Sequence, residues 1–145
     1  MIQRIQSIFL ILAALALSAL FKYPVAESSG SASPLFEDQA FTVSDHPVLT
    51  GLTVIAALTC FISVFLFRNR VLQLRITKVA MIACLFLGIV AVWLVYSNAS
   101  SWSNELSVND SAGLYLTIAG FIMTIFAGVF IKKDENTVRS MDRLR

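Results

Sequence analysis

The chain has one histidine and two cysteines in 145 residues, and only 14% of its side chains are charged. Each scarcity removes a class of function. A closed metal site wants four ligands, and His46 has only Asp45 beside it, a pair that a helix start explains as well. Thiol oxidases of the four-helix, quinone-coupled kind need reactive cysteine pairs in the loops away from the cytoplasm. Cys60 and Cys84 instead lie inside apolar runs and read as small hydrophobic packers. No glycine-rich phosphate loop, Ser-His-Asp set or His-Glu-x-x-His motif is present. A formal charge of +2 is too small to argue for nucleic acid. These absences lead us to expect no cofactor, no metal and no enzymatic activity.

What the chain has instead is apolar surface. Hydrophobic residues make up 57% of it and the mean hydropathy is +0.78, against about 45–50% apolar for an ordinary soluble domain. A fold of this size still exposes about a third of its unfolded surface, so the surplus must face something apolar, and lipid answers that need. A helix takes roughly 20 mostly apolar residues to cross the hydrocarbon core. Four segments approach or meet that length without an interior charge, at about 5–21, 48–67, 79–96 and 112–131. Between them lie an outer loop at 22–47, a short turn at 68–78 and a second outer loop at 97–111, with a charged tail at 132–145. Asp45 with Pro47, and Asp110 with Ser111, mark starts for the second and fourth helices. Ala40 to Val43 has the composition of a short extended piece over the bundle mouth.

The charges orient these spans. Of eleven lysines and arginines, only Lys22 falls in an outer segment; Arg4, Arg68, Arg70, Arg75, Lys78, Lys132, Lys133, Arg139, Arg143 and Arg145 all flank the other side. Basic residues in short loops are retained in the cytoplasm. Both termini and the 68–78 turn are therefore expected inside, giving an all-α integral membrane four-helix bundle, antiparallel and up-down. A cleaved signal peptide is the rival reading of the first span. Its cleavage sites are poor: the one after Ala26 has Pro24 two residues before the last position, and the one after Ala19 has Leu17. Coupled transporters usually hold an ionisable group in the membrane, and none of the four spans holds one.

Within lipid, helices associate through small residues that let backbones approach. Gly113, Gly120, Thr124 and Gly128 recur at helical spacing in the fourth span, and Cys84 and Gly88 in the third. These faces are candidates for packing within the bundle first and for association with another membrane protein, or a second copy, next. The tail (IKKDENTVRSMDRLR) sets Glu135 four residues before Arg139, a favourable helical pair. Val138, Met141 and Leu144 form a narrow apolar stripe between charged flanks that include Asp142 and Arg143. Such a segment suits an anionic membrane surface or a cytoplasmic partner.

The opening MIQRIQSIFLILAA, the four-span layout and the ending KKDENTVRSMDRLR together resemble the bacterial domain-of-unknown-function family numbered 4293. The closing motif falls on Lys133, Asp134, Glu135, Val138, Arg139, Ser140, Asp142, Arg143, Leu144 and Arg145. The resemblance implies a short four-pass protein of the bacterial inner membrane and supplies no activity. The sequence is thus read as a non-enzymatic accessory or scaffold subunit that works by helix packing and its basic tail. The alternative is a carrier or passive pore for an uncharged or lipidic solute. An enzyme would need a cluster such as Asp45, His46 and Glu105 converging at the outer mouth.

Overall fold

In a computed structural model, residues 2–28, 40–99 and 108–142 are described. Four helices dominate: α1 (Ile2–Ala19), α2 (Pro47–Phe65), α3 (Arg70–Ala99) and α4 (Ala112–Asp142). Among the described residues the fold is all-α apart from three very short strands, β1 (Ala26–Ser28), β2 (Ala40–Phe41) and β3 (Val108–Asp110).

Local chemistry sets the helix ends. α1 winds down through i→i−3 and i→i−4 bonds at Leu20 to Tyr23 and stops before Pro24, whose ring disfavours helical geometry at the preceding residue. The His46 imidazole caps α2 by accepting from the Val48 amide at 3.3 Å, with Pro47 in the first helical position. Asp45 does a neighbouring job, accepting from the Thr42 amide at 2.6 Å in the 3-10 turn Val43–Asp45. A second 3-10 turn, Leu66–Arg68, follows α2, and Asn69 alone separates it from α3. The Asn69 side chain accepts from the Leu72 amide at 3.2 Å, so one residue ends one element and caps the next. The 68–78 segment expected as a turn is therefore mostly the first two turns of α3. A basic helix start facing water has the same composition as a basic loop. Ser111 precedes α4, but its hydroxyl donates to Glu27 at 2.8 Å instead of capping the helix.

Each helix packs against two neighbours, in the ring α1–α2–α3–α4. Cross-helix contacts fix the antiparallel sense. Phe9 of α1 stacks on Phe130 and meets Phe126 at a tilt, both of α4, while Leu17 lies by Gly120 and Pro24 by Gly113. Between α3 and α4, Thr77 meets Gly128 and Thr117 meets Gly88.

Large and small side chains are distributed inside out. Ala13, Ala14, Ala56, Ala80, Ala83, Ala91 and Ala127 are buried, with Leu17, Leu20, Leu49 and Leu87 filling the axis. Leu15, Leu58, Phe65, Trp93 and Val129 are each more than half exposed. A water-soluble monomer does not show so much contiguous apolar surface; helices packed through small residues with lipid outside do. At one end the strands form a sheet in the order β2-β1-β3, antiparallel throughout, with Ala26 opposite both Phe41 and Asp110. Ala26 and Phe41 of the sheet, with Val25 just before it, are buried and close that mouth.

Candidate functional site

The other end of the bundle is where chemistry gathers. Every helix contributes a polar group there. Gln73 of α3 donates through Nε2 to the Ser63 carbonyl of α2 at 2.9 Å. The Ser63 and Thr77 hydroxyls are 2.8 Å apart, and Thr77 also donates to the Gln73 carbonyl at 2.9 Å. From α1, Gln6 Nε2 reaches Gln73 Oε1 across the bundle at 3.4 Å. Gln6, Ser63 and Gln73 are fully buried and Thr77 nearly so. The carbonyl of Ser63 fixes which way the Gln73 amide points, and that in turn fixes Gln6. Gln6 Oε1 is left buried without a protein partner. A buried acceptor in that position costs about 1–3 kcal/mol.

One turn before Gln73, Arg70 Nε lies 3.1 Å from Asp134 Oδ2 of α4. The two are close enough for an ion pair, but the N–H is not aligned for a hydrogen bond, and Asp134 Oδ2 has no aligned donor. Asp134 is 8% exposed. It therefore belongs to the bundle, and the solvated tail expected from residue 132 begins after it. Sequence reasoning also passed over Gln6, Gln73 and Thr77. The signal was available: Arg70, Gln73, Thr77, Ala80 and Cys84 recur at three and four residues, a single helix face.

Beyond Asp134, α4 runs on to Asp142, about 12 Å at 1.5 Å per residue. Of the tail residues singled out in the sequence, Glu135 and Val138 are half-buried. Arg139, Met141 and Asp142 lie on the helix, but their side chains are outside the described residues, as are Arg143 and Leu144 altogether. The hydroxyls of this extension turn back onto the helix, Thr137 donating to the Lys133 carbonyl at 2.9 Å and Ser140 to that of Thr137 at 2.8 Å.

The small-residue face of α4 looks inward. Gly113 sits against the Pro24 backbone, where an added Cβ would come within 2.5 Å of the carbonyl oxygen, and its amide donates to that oxygen at 2.8 Å. Gly120 admits the Leu17 side chain, and Gly88 and Gly128 face threonine methyls across the α3–α4 seam. Thr124 and Cys84 are buried, and Cys60 and Cys84 are both free thiols. These positions pack this chain against itself. At the sheet end of the bundle Asp45 and His46 are occupied in capping, and Glu105 lies outside the described residues. Among the described residues no three His, Cys, Asp or Glu side chains converge.

An exposed apolar shell over a small-residue core is the build of a membrane protein. Three stretches are long and apolar enough to cross a bilayer, Pro47–Arg68, Arg70–Ser97 and Ala112–Val138, while the apolar part of α1, Ile5–Ala19, is shorter. The family described as a domain of unknown function, DUF4293, matches residues 2–144, and the chain belongs to it. Comparison with curated proteins and with solved structures gives no match.

Proposed function

We propose that this protein crosses the bacterial inner membrane four times with both termini in the cytoplasm, and serves as a non-enzymatic accessory or scaffold subunit. The observation that carries this reading is the projection of α4 beyond the bundle. A helix that only needed to span would end near Ile131; this one continues to Asp142, and the Arg70–Asp134 pair holds the base of the extension against α3. The small-residue faces are used up inside the chain. That leaves the projecting helix and the lipid-facing shell as surfaces for partners. The fourth crossing rests on α1, whose apolar part Ile5–Ala19 spans about 22 Å against a core of about 30 Å. Local thinning of the bilayer accommodates such a mismatch at modest cost.

Transport of an uncharged or lipidic solute is the weaker reading. Leu17, Leu20, Leu49 and Leu87 fill the axis. The cleft between β1 and α3, lined by Val25, Ala26, Ala91, Val95 and Leu114, is about 70 Å³, against roughly 300 Å³ and upward for ligand pockets, and the larger hollows of about 580 and 490 Å³ are open grooves on the outside of the bundle. The test is mild-detergent co-purification with crosslinking at the tail. The full chain is expected to bring a membrane partner that a chain truncated after Asp134 loses while keeping its helicity. Recovery of this chain alone, or of the same partner by the truncated form, would overturn the proposal.

A further inference from the structure

The outward face of α4, which the scaffold reading uses only for its length, also carries a chemical pattern. Val129, Lys132, Lys133, Asn136, Thr137 and Ser140 line one open groove of about 580 Å³. Below it on the same face, Ile122, Ile125 and Phe126 are exposed apolar side chains, and Val129 continues the run. These positions recur at three and four residues and so form one stripe. It is apolar for about two turns and then cationic.

Two features keep this cationic head available. Asp134, the acid nearest in sequence, points to roughly the opposite side of the helix and is taken by Arg70. Glu135, the only other acid on this stretch with a described side chain, is half-buried and already engaged. The hydroxyl protons of Thr137 and Ser140 are given to backbone carbonyls. The donors left for a ligand are the exposed Lys132 and Lys133 ammonium groups and the Asn136 amide. Two cations and a neutral donor match a phosphodiester, and the apolar run beneath matches the acyl chain joined to it.

We infer that this face of α4 is a binding site for one anionic phospholipid, its phosphate held by Lys132, Lys133 and Asn136 and its chain lying along Ile122, Phe126 and Val129. The site rests on the bilayer-spanning reading and adds a lipid preference to it. A basic residue near an anionic surface is worth about 1 kcal/mol, which is about fivefold in association.

The experiment uses the full chain in phosphatidylcholine vesicles, with spin-labelled phosphatidylglycerol or spin-labelled phosphatidylcholine as the probe. The motionally restricted fraction gives the relative association of the two lipids. Wild type should favour phosphatidylglycerol several-fold, and K132Q/K133Q should bring the ratio close to unity. K132R/K133R should keep the preference, and R75Q/K78Q, which removes the same charge at the same end on α3, should lower it less than K132Q/K133Q does. Equal association in wild type, or a wild-type preference in K132Q/K133Q, overturns the site alone. A chain that stays in solution without lipid overturns the bilayer-spanning reading as well.

Discussion

The Arg70–Asp134 pair is the most exacting place to perturb this bundle. At 3.1 Å the two charges attract by about 5 kcal/mol at an effective dielectric constant of 20. Desolvation opposes most of that. The side chains are 23% and 11% exposed, so solvent screens what is left, and the contact lacks hydrogen-bond alignment. A net coupling of about 1–2 kcal/mol is the reasonable expectation, below the roughly 3–5 kcal/mol for breaking a fully buried pair. The design is a double-mutant cycle, with Asp134→Ala, Arg70→Ala and both together, read by reversible unfolding of the full chain in detergent micelles. Arg70→Ala should be the worse single change, because it leaves the more deeply buried carboxylate, 11% exposed against 23% for the guanidinium, without its counter-charge. The double variant should recover part of the loss. A coupling below about 0.3 kcal/mol, the level at which independent sites simply add, would refute the claim that this pair anchors the projecting helix.

Further predictions concern the polar layer, the glycines and the orientation. Gln6→Leu exchanges one buried orphan acceptor, Gln6 Oε1, for another, Gln73 Oε1, and should be nearly neutral, whereas Gln73→Leu leaves the whole Gln6 amide buried without a partner and should cost about 1–3 kcal/mol; thermal unfolding in micelles separates the two, and equal losses would show the layer is mis-assigned. Gly113→Ala drives a methyl into the Pro24 carbonyl and should lower stability by about 1–3 kcal/mol. Gly51→Ala, with nothing within 4 Å, should be neutral or gain up to about 1 kcal/mol. Under the proposed topology, Ser140→Cys in a chain lacking Cys60 and Cys84 should react with an impermeant maleimide from the cytoplasmic side only, and Lys22→Cys from the opposite side only; the reverse pattern would invert the assignment.

Much of the architecture was legible because apolar runs of span length have few alternative uses. The helix around Val79 to Tyr96 could be read from its composition, but its start at Arg70 could not. Arg70, Gln73, Arg75 and Lys78 look like a loop when composition alone is weighed, and only the helical spacing of Gln73 and Thr77 betrays the buried face. Asp134 misled for a related reason. Amid Lys132, Lys133 and Glu135 it reads as one more solvated charge, and only the three-dimensional register brings Arg70 opposite it. The short strands were partly visible in Ala40–Phe41, but β1 and β3 are three residues each, too short for a period-two pattern to declare itself. Their pairing is a consequence of the helices bringing Pro24 beside Gly113. The inward use of Gly113 and Gly120 likewise needed the structure, since spacing shows a face without showing what it meets.

The closing of the helix ring by α1 and α4 has a consequence for how the protein is made. α1 emerges before α4, yet Leu10, Ala13 and Leu17 line the side of it that packs against Ala127, Ile131 and Gly120 of α4. The Gln6 amide waits for Gln73, by which time half the chain has been translated. Through most of synthesis the first helix must therefore stand with an open side that holds a glutamine. Any factor that shelters nascent helices would meet this protein at α1, and would be released when the last helix arrives to take its place.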